Sequence, residues 1–358
     1  MHDAVRRQGR RYRPAGMSPG DKKRAPEIQG RVLVTGCAGF IGSHLTEHLL
    51  DKGTSVVGVD SMTNYYARET KKENMHSFRD HPGFEFRRLD LSRDPLDGLL
   101  NGVESVYHLA AQPGVRGSFG TGFQRYVRQN ITATQRLLEA AVQLPLRSFV
   151  YASSSSVYGN DPPFPTTEEA TKHPVSPYGM TKVATEELAG VYFRTHGIPV
   201  IGMRYFTVYG PRQRPDMAFA RFIWQGLLAH PITIFGDGRQ ERDFTYVDDA
   251  VEATISAAVH GKPGGVYNIG GGHPIELMSV LDMLGGMFGR SLETLSLPAV
   301  PGDVRRTGAD CSLARADLGF SPATLLEDGL RNQFDEARRQ GRRALRRARR
   351  WFTPPSGG

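Results

Sequence analysis

A tyrosine and a lysine in this chain have the spacing of an acid–base couple. Tyr178 and Lys182 lie four residues apart in the segment YGMTK, so a helix there places both side chains on one face. A free tyrosine has a pKa of about 10. A neighbouring ammonium and a positively charged cofactor ring both favour its phenolate form. Tyr178 would then take a proton from a substrate hydroxyl while a hydride leaves the same carbon.

Four consecutive serines precede this couple in the segment YASSSSVYG (151–159). They follow an apolar run that predicts a strand, so their hydroxyls lie where the strand passes into a loop. We expect Ser154 to hydrogen-bond the substrate oxygen that faces Tyr178. The alternative is a polar strand end without a catalytic role. The predicted catalytic residues are therefore Ser154, Tyr178 and Lys182.

A glycine-rich segment, GCAGFIG (36–42), indicates a dinucleotide-binding site. It follows a predicted strand and opens a predicted helix, where glycines let the backbone approach a pyrophosphate. Its spacing, GxxGxxG, differs from the common GxGxxG pattern. Asp60 ends the next predicted strand, where a carboxylate accepts hydrogen bonds from ribose hydroxyls and repels a 2′-phosphate. The pattern predicts NAD as the cofactor. Asp90 and Leu91 end the third predicted strand and are expected near the adenine, although Asp90 is also a plausible helix cap.

The elements around these motifs predict an α/β fold. Predicted strands at 31–36, 55–60, 84–91, 105–111, 148–154 and 199–205 alternate with helices, notably at 130–143 and 177–195. Such alternation is typical of a parallel sheet covered on both faces. After residue 207, helix-like segments at 217–229, 247–260 and 276–288 alternate with short strands at 232–235 and 266–269. We predict a Rossmann-type doubly wound parallel sheet at 31–206 and a smaller α/β C-terminal substrate lobe, mainly at 207–335.

The chain's positive charge is concentrated in its two ends. The 358 residues carry a formal net charge of +8, of which residues 1–30 contribute +5 and residues 338–358 contribute +8, so the body is acidic. We expect a basic, disordered tail at 1–30 and an Arg-rich tail at 336–358. The run RRQGRRALRRARR (338–350) has the charge to contact nucleic acid or anionic lipid. We expect it instead to be a solvated, partly disordered tail, and we expect no nucleic-acid partner.

The composition indicates a cytoplasmic protein. Cys37 and Cys311 are too few for a disulfide framework or a structural zinc site, so we expect no metal. The chain has no run of about 18 apolar residues, so we expect no transmembrane helix. The first thirty residues lack the apolar stretch of a secretory signal.

Together these motifs resemble the extended short-chain dehydrogenase family, and within it the nucleotide-sugar epimerases and dehydratases. The resemblance covers about residues 31–330. It is carried by GxxGxxG, Asp60, LAAQ (109–112), Asn130, SSSVYG (154–159), YxxxK and RYFTVYGPRQRPD (204–216). It implies a bound NAD that is recycled in each turnover and a nucleoside-diphosphate sugar held by the C-terminal lobe. It also implies a homodimer through the helices near 130–143 and 177–195.

The resemblance also assigns site residues. The implied cofactor contacts are Gly36, Gly39, Phe40, Ile41, Gly42, Asp60, Asn64, Asp90, Leu91, Leu109, Ala110, Ala111, Gln112, Asn130, Tyr178, Lys182 and Tyr205. The implied substrate contacts are Ser154, Ser155, Ser156, Tyr178, Thr207, Arg214, Thr233, Ile234, Phe235, Arg242 and Arg305. Among these, Arg242 is expected to clamp the diphosphate, and Thr233 to Phe235 are expected to run beside the uracil. Arg305 is expected to add a phosphate contact or to be a plain surface residue.

Ser155 and Ser156 distinguish three reactions that share this scaffold. The related dehydratases carry Asp-Glu at these positions, and sugar-nucleotide decarboxylases carry Glu at the position of Ser156. This chain has no acid at either place. An epimerase needs none, because its oxidised sugar only rotates and takes the hydride back on the other face. The prediction is therefore an NAD-dependent nucleotide-sugar 4-epimerase. A catalytically silent NAD-sensing or nucleic-acid-binding protein is the alternative, against which the intact Ser154, Tyr178 and Lys182 argue.

The substrate is indicated by Thr207 and by the string RPDMA (214–218). UDP-glucose 4-epimerases usually carry Asn at the position of Thr207, whereas RPDMA and the Asn64-Tyr65-Tyr66 segment are similar to those of UDP-glucuronate 4-epimerases. The leading prediction is conversion of UDP-glucuronate to UDP-galacturonate. The alternatives are a UDP-glucose/UDP-galactose 4-epimerase and a UDP-glucuronate decarboxylase. We expect the serine and threonine hydroxyls to hold a sugar carboxylate. Arg214 would add charge or close the pocket, or else form a hinge-loop salt bridge.

Overall fold

A computed structural model describes residues 30–299 and 302–341 of the chain. The strands are β1 (Arg31–Thr35), β2 (Ser55–Asp60), β3 (Phe84–Arg88), β4 (Val103–His108), β5 (Ser148–Ser154), β6 (Val200–Tyr205), β7 (Thr207–Tyr209), β8 (Ile232–Phe235), β9 (Glu241–Arg242), β10 (Phe244–Tyr246), β11 (Val266–Ile269), β12 (Ile275–Glu276) and β13 (Thr294–Leu297). The helices are α1 (Phe40–Asp51), α2 (Arg68–Asn74), α3 (Phe123–Tyr126), α4 (Ala133–Ala141), α5 (Pro177–His196), α6 (Ala218–Leu227), α7 (Val247–His260), α8 (Leu277–Phe288), α9 (Ser312–Leu318) and α10 (Leu326–Arg339). Most of both predicted basic tails lies outside the described residues.

Seven parallel strands form the central sheet, in the order β11-β6-β5-β4-β1-β2-β3. Their apolar runs are buried: every residue of β6 is inaccessible to solvent or nearly so, as are the last four residues of β1. Helices cover both faces, as continuous apolar strands require. The strand order reverses between β1 and β4, and ligands of such sheets bind at the carboxyl ends beside this switch point. The predicted Rossmann-type fold is confirmed.

Helix α5 is fixed at both ends by residues visible in the sequence. The Ser176 hydroxyl accepts a hydrogen bond from the Gly179 amide at 3.1 Å, and Pro177 occupies the first helical position. Gly197 ends the helix with φ of +71°, a left-handed conformation that glycine adopts at little cost. Because Tyr178 lies in the capped first turn, its backbone position is well determined.

The smaller lobe is built from short pairings over the end of the sheet. Strand β8 pairs with β13, β9 with β12, and β7 with β10. The expectation that residues 266–269 belong to this lobe is wrong, because β11 pairs in parallel with β6 at the edge of the central sheet. Helix α7 packs against α1, β5 and β6 and returns the chain to the sheet. Parts of the chain after residue 207 therefore complete the Rossmann-type half.

Three predicted boundaries differ from the structure by three residues or more. Strand β3 ends at Arg88 and not at residue 91, because the Asp90 carboxylate accepts hydrogen bonds from the Ser92 amide and hydroxyl and turns the chain. Strand β4 ends at His108 and not at residue 111. The helix predicted from residue 130 begins earlier, since α3 runs through a π-helical segment (Val127–Thr132) into α4. In the described part of the chain, no helix is long and apolar enough to span a membrane.

Candidate active site

A cavity of about 350 Å³ opens at the carboxyl ends of the sheet strands. It extends from the glycine segment after β1 to Tyr178 at the start of α5. The predicted cofactor residues that line it are Gly36, Gly39, Phe40, Ile41, Gly42, Asp60, Leu91, Leu109, Ala110, Ala111, Gln112, Tyr178, Lys182 and Tyr205. The structure thus gathers most of the predicted cofactor residues around one elongated space.

The glycine segment leaves no room for side chains. Gly36 has φ of +74°, and a Cβ on Gly42 would lie 2.1 Å from the Gly36 carbonyl oxygen. Helix α1 starts at this tight turn, and its N-cap, Gly39, provides no side-chain hydrogen bond to the first turn. The amides of that turn are therefore available to a ligand, and a helix N-terminus favours an anion. This geometry fits the pyrophosphate of a dinucleotide.

Asp60, at the end of β2, has a partner that the sequence analysis missed. Its Oδ1 accepts hydrogen bonds from the Met62 amide at 2.7 Å and from the Lys71 Nζ at 2.8 Å. Both charged side chains are buried, and both line the cavity. Lys71 gave no sequence signal, since it lies in the charged segment ARETKKEN, which is typical of a solvated helix. The ion pair holds the Asp60 carboxylate at the end of the cavity where the resemblance places a ribose.

Three predicted cofactor residues do not line this cavity. Asn64 and Asp90 line an adjoining pocket of about 380 Å³ that also contacts Gln112. Asn130 is buried: its Oδ1 accepts from the Gln112 amide at 2.7 Å, and its Nδ2 donates to the Thr181 hydroxyl at 2.9 Å. Asn130 thus ties the loop after β4 to α5, and it is not among the residues that line the cavity.

The three predicted catalytic residues meet at one end of the cavity. Ser154 lies close enough to Tyr178 to lower its pKa, and the Ser154 Oγ accepts from the Ser156 amide at 3.2 Å. The Lys182 Nζ donates to the Ala152 carbonyl at 2.7 Å and lies 6.0 Å from the centre of the Tyr178 ring. The end of β5 and the first two turns of α5 therefore build the couple together.

Burial dominates the titration of this couple. Burial raises the pKa of Tyr178, whereas Ser154 and the charge of Arg214 act to lower it. Burial lowers the pKa of Lys182 to about 8, which the negative charge of Glu186 opposes. The chain's own charges are thus not enough to favour the phenolate form of Tyr178, because the effect of desolvation is larger. A cation bound beside the ring would shift the pKa downward, as the ring of oxidised NAD would.

The same cavity is lined by the residues predicted to contact the sugar. Ser155, Ser156, Thr207 and Arg214 all lie on its wall. Arg214 donates from Nε and Nη2 to the two carboxylate oxygens of Asp216, at 3.0 Å each. The salt bridge weighed as an alternative for Arg214 is therefore present, yet the side chain still faces the cavity.

A second, larger cavity of about 1180 Å³ adjoins the first in the smaller lobe. It is lined by the predicted Thr233, Ile234, Phe235 and Arg242, and also by Arg116 and Arg221, which the sequence analysis did not single out. The two added arginines stack on the Phe235 ring, with guanidinium carbons 3.9 and 5.4 Å from its centre. Burial lowers the pKa of both. Arg221 follows the RPDM string by one helical turn, a spacing that could have drawn attention to it.

Arg242 and Arg305 differ in their surroundings. Arg242 lines the second cavity, bonds the Asp303 carboxylate and donates to the Glu241 carbonyl at 2.8 Å. Arg305 is 64% exposed at its side chain and pairs with Asp237, with its Nη1 2.9 Å from each carboxylate oxygen. It is not among the residues that line the cavity. The structure thus favours the surface alternative for Arg305 over the expected phosphate contact.

Known proteins share this architecture. The model of the NAD dependent epimerase/dehydratase family matches residues 32–270. An uncharacterised UDP-glucose epimerase of Bacillus subtilis is 45% identical over 308 residues, which cover 85% of this chain and 96% of that protein. A UDP-glucuronate 4-epimerase of Thermodesulfobacterium geofontis is 38% identical over 309 residues, covering 84% and 94%. The crystal structure of the UDP-glucuronic acid 4-epimerase from Bacillus cereus, in complex with UDP-glucuronic acid and NAD, has a TM-score of 0.84 and 44% identity, covering 87% of this chain and 99% of that chain.

Proposed function

The chain belongs to the NAD dependent epimerase/dehydratase family, and we propose that it converts UDP-glucuronate to UDP-galacturonate by epimerisation at C4. The observation that carries this proposal is one wall of the cavity. Hydroxyls of Ser155, Ser156 and Thr207 line that wall beside Tyr178 and Lys182. By the resemblance, Ser155 and Ser156 take the positions at which dehydratases and decarboxylases have acids. The site can oxidise a hydroxyl, but it has no carboxylate at those positions to eliminate water.

The redox residues move one proton in each direction. When bound, NAD supplies a hydride acceptor for the sugar C4 and then gives the hydride back. Tyr178 accepts the proton of the C4 hydroxyl, while Ser154 hydrogen-bonds the same oxygen. Lys182 places its ammonium near the Tyr178 ring and so stabilises the phenolate. The 4-keto sugar then rotates in the site and takes the hydride back on the opposite face of C4. Tyr178 returns its proton to the C4 oxygen.

A uronate adds a chemical demand, because its C4 ketone is a β-keto acid that loses CO₂ readily. We propose that the hydroxyls of Ser155, Ser156 and Thr207 hold the carboxylate where its C–C bond is poorly aligned for cleavage. Arg214 closes this part of the cavity, and its charge is partly balanced by Asp216. The Tyr65 hydroxyl donates to Asp216 at 3.2 Å, which fixes the pair to the cofactor half.

The second cavity suits the nucleotide part of the substrate. We assign the diphosphate to the arginines that converge there, namely Arg116, Arg221 and Arg242, because guanidinium groups match phosphate oxygens. Thr233 to Phe235 then lie beside the uracil. On this proposal the smaller lobe, which lies within residues 207–335, mainly binds the substrate. Helix α7 and strand β11 fall in the same range but belong to the Rossmann-type half.

Product analysis tests this function. Purified protein incubated with UDP-glucuronate is expected to give UDP-galacturonate, separated by ion-exchange chromatography. UDP-pentose formed without UDP-galacturonate would contradict it and would identify a decarboxylase. The second candidate, UDP-glucose 4-epimerisation, is favoured by the name of the B. subtilis relative. Turnover of UDP-glucose at a higher kcat/KM than UDP-glucuronate would select it.

We further propose a cytoplasmic homodimer formed through α4 and α5. Met180 and Val191 on α5 are 53% and 47% exposed, which leaves apolar surface on this side of the molecule. Cys37 and Cys311 are buried free thiols, as suits a reducing compartment. Light scattering at micromolar concentration is expected to give the dimer mass, and a monomer mass for Met180→Glu.

A further inference from the structure

Helix α5 carries a third side chain in line with the redox couple. Glu186 follows Lys182 by four residues, as Lys182 follows Tyr178, so the three side chains share one helix face. Glu186 is only 6% exposed. Buried carboxylates are costly unless they are paired, and the contacts of this one reach the residues that hold the couple.

Three successive residues of β5 contact these three α5 side chains. Ala152 accepts a hydrogen bond from Lys182 through its carbonyl, and Ser154 lies beside Tyr178. Between them, the Ser153 hydroxyl donates to Glu186 Oε1 at 2.5 Å. Glu186 therefore holds the residue that lies between the two β5 contacts of the redox couple.

Arg204 holds Glu186 from the neighbouring strand. It lies on β6 opposite Ser153, and it donates from Nε and Nη2 to the two Glu186 oxygens at 2.8 Å each. Its Nη1 donates to the Tyr158 hydroxyl at 2.7 Å and to the Glu168 carbonyl at 2.8 Å. Both side chains of the ion pair are at most 5% exposed. The pair thus links α5, β5 and β6 below the redox couple.

We propose that Glu186 is a positioning residue of the redox site, which fixes the end of β5 against α5 and supplies a negative charge beneath the Lys182 ammonium. By fixing Ser153, Glu186 sets the place of the Ala152 carbonyl and of the Ser154 hydroxyl. The negative charge of Glu186 also helps Lys182 keep its proton at neutral pH. The inference rests on the proposed redox role of Tyr178 and Lys182, and it does not depend on which sugar is the substrate.

The charges around the two groups support this role. Tyr178 and Glu186 face Lys182 from α5, and His108, on β4, is close enough for the charge of Lys182 to lower its pKa. Around Glu186 lie Arg204 on β6, Lys172 at 3.6 Å, Tyr151 on β5 and the Tyr158 ring beside Arg204. Glu186 is the group whose charge opposes the loss of the Lys182 proton, and burial lowers the pKa of Lys182 to about 8.

The test compares Glu186→Gln with a neutral pair and a matched control. Glu186→Gln leaves Arg204 buried without its partner, so part of its effect is on folding. The double variant Glu186→Gln/Arg204→Gln removes both charges and lets the two amides pair. Glu187→Gln is the control, since that side chain is 60% exposed and pairs with Lys172 on the surface. Thermal stability, NAD content and the pH profiles of kcat and KM are measured for all forms.

The expected result separates the effect of the Glu186 charge on kcat from its effect on folding. The double variant regains thermal stability over Glu186→Gln, yet the pH at which kcat declines on the alkaline side stays about one unit below that of the wild type. The control keeps the wild-type profile. A double variant with the wild-type kcat and alkaline limb would overturn the proposal and leave Glu186 a structural residue.

A milder variant covers the case in which the double variant does not fold. Ser153→Ala removes one hydrogen bond and no charge. Its kcat is expected to fall severalfold, with KM and NAD content unchanged, because the Ala152 carbonyl and Ser154 are no longer fixed. A wild-type kcat in Ser153→Ala would overturn the positioning role. A wild-type protein that epimerises no UDP-sugar would instead refute the proposed function.

Discussion

The two ends of the site are built in different ways. At the redox end the functional groups already have neighbours that hold them: Ser154 lies close enough to Tyr178 to lower its pKa, and Lys182 donates to the Ala152 carbonyl. At the nucleotide end, Arg116 and Arg221 stack on Phe235, and within the described residues neither has a salt-bridge partner. The redox geometry is therefore fixed before a ligand binds. Of the three arginines at the nucleotide end, only Arg242 is ion-paired to a residue that the structure describes, namely Asp303, so the other two keep their charge for the ligand. The difference indicates one fixed chemistry combined with an adaptable binding surface.

Removing the acid–base group should have the largest effect. Tyr178→Phe keeps the ring and its packing but cannot accept the C4 hydroxyl proton. We expect kcat to fall by about 10²–10⁴-fold, the usual contribution of a positioned acid–base group. The Kd for UDP, measured by calorimetry, should stay unchanged, because we assign the nucleotide to the other end. A kcat within a few fold of the wild type would show that Tyr178 is not the base.

A substitution at the nucleotide end should weaken binding of the nucleotide more than it slows the reaction. Arg116→Gln removes a cation that we assign to the diphosphate, and a hydrogen bond to a charged group contributes about 1.5–3 kcal/mol. We expect the Kd for UDP to rise roughly 10–100-fold, with kcat at saturation changed much less. Arg305→Gln is the matched control, since that side chain pairs with Asp237 on the surface. Equal losses in the two variants would contradict the assignment.

The pH dependence should follow Lys182. Burial lowers its pKa to about 8, so the ammonium is present below that pH and is lost as the pH rises through it. We expect kcat to decline above about pH 8 and to approach a tenfold loss per unit. His108 does not contribute, because burial lowers its pKa to about 3 and it stays neutral throughout. An activity that is constant from pH 7 to 10 would contradict the role of Lys182.

The smallest effect is expected at the uronate contact. Thr207→Val exchanges a hydroxyl for a methyl of similar volume. Loss of a neutral hydrogen bond costs about 0.5–1.5 kcal/mol, so KM for UDP-glucuronate should rise roughly 2–10-fold. Measured in parallel, the KM for UDP-glucose should not change. A rise in both KM values would place Thr207 at a part of the sugar that the two substrates share.

The redox end could be predicted well from the sequence. The Tyr178–Lys182 spacing and the apolar run of β5 are local patterns, and each of them determines a local structure. Strand β11 shows where local patterns fail, because its pairing with β6 depends on the path of α7 and not on its own residues.

The nucleotide end and the supporting ion pairs could not be predicted in the same way. Lys71 lies among charged residues, and only the fold shows that it is buried against Asp60. Arg116 and Phe235 are more than a hundred residues apart in the chain, yet they stack. No sequence period reports such contacts, since they arise where two separate elements meet.

The central claim is that the oxidation at C4 is undone on the opposite face within the same site. UDP-glucuronate deuterated at C4 tests it most directly, with the product examined by NMR and mass spectrometry. The account predicts UDP-galacturonate that retains the deuterium at C4, because the hydride returns to the carbon it left. UDP-galacturonate with solvent hydrogen at C4, or UDP-pentose as the only product, would contradict it.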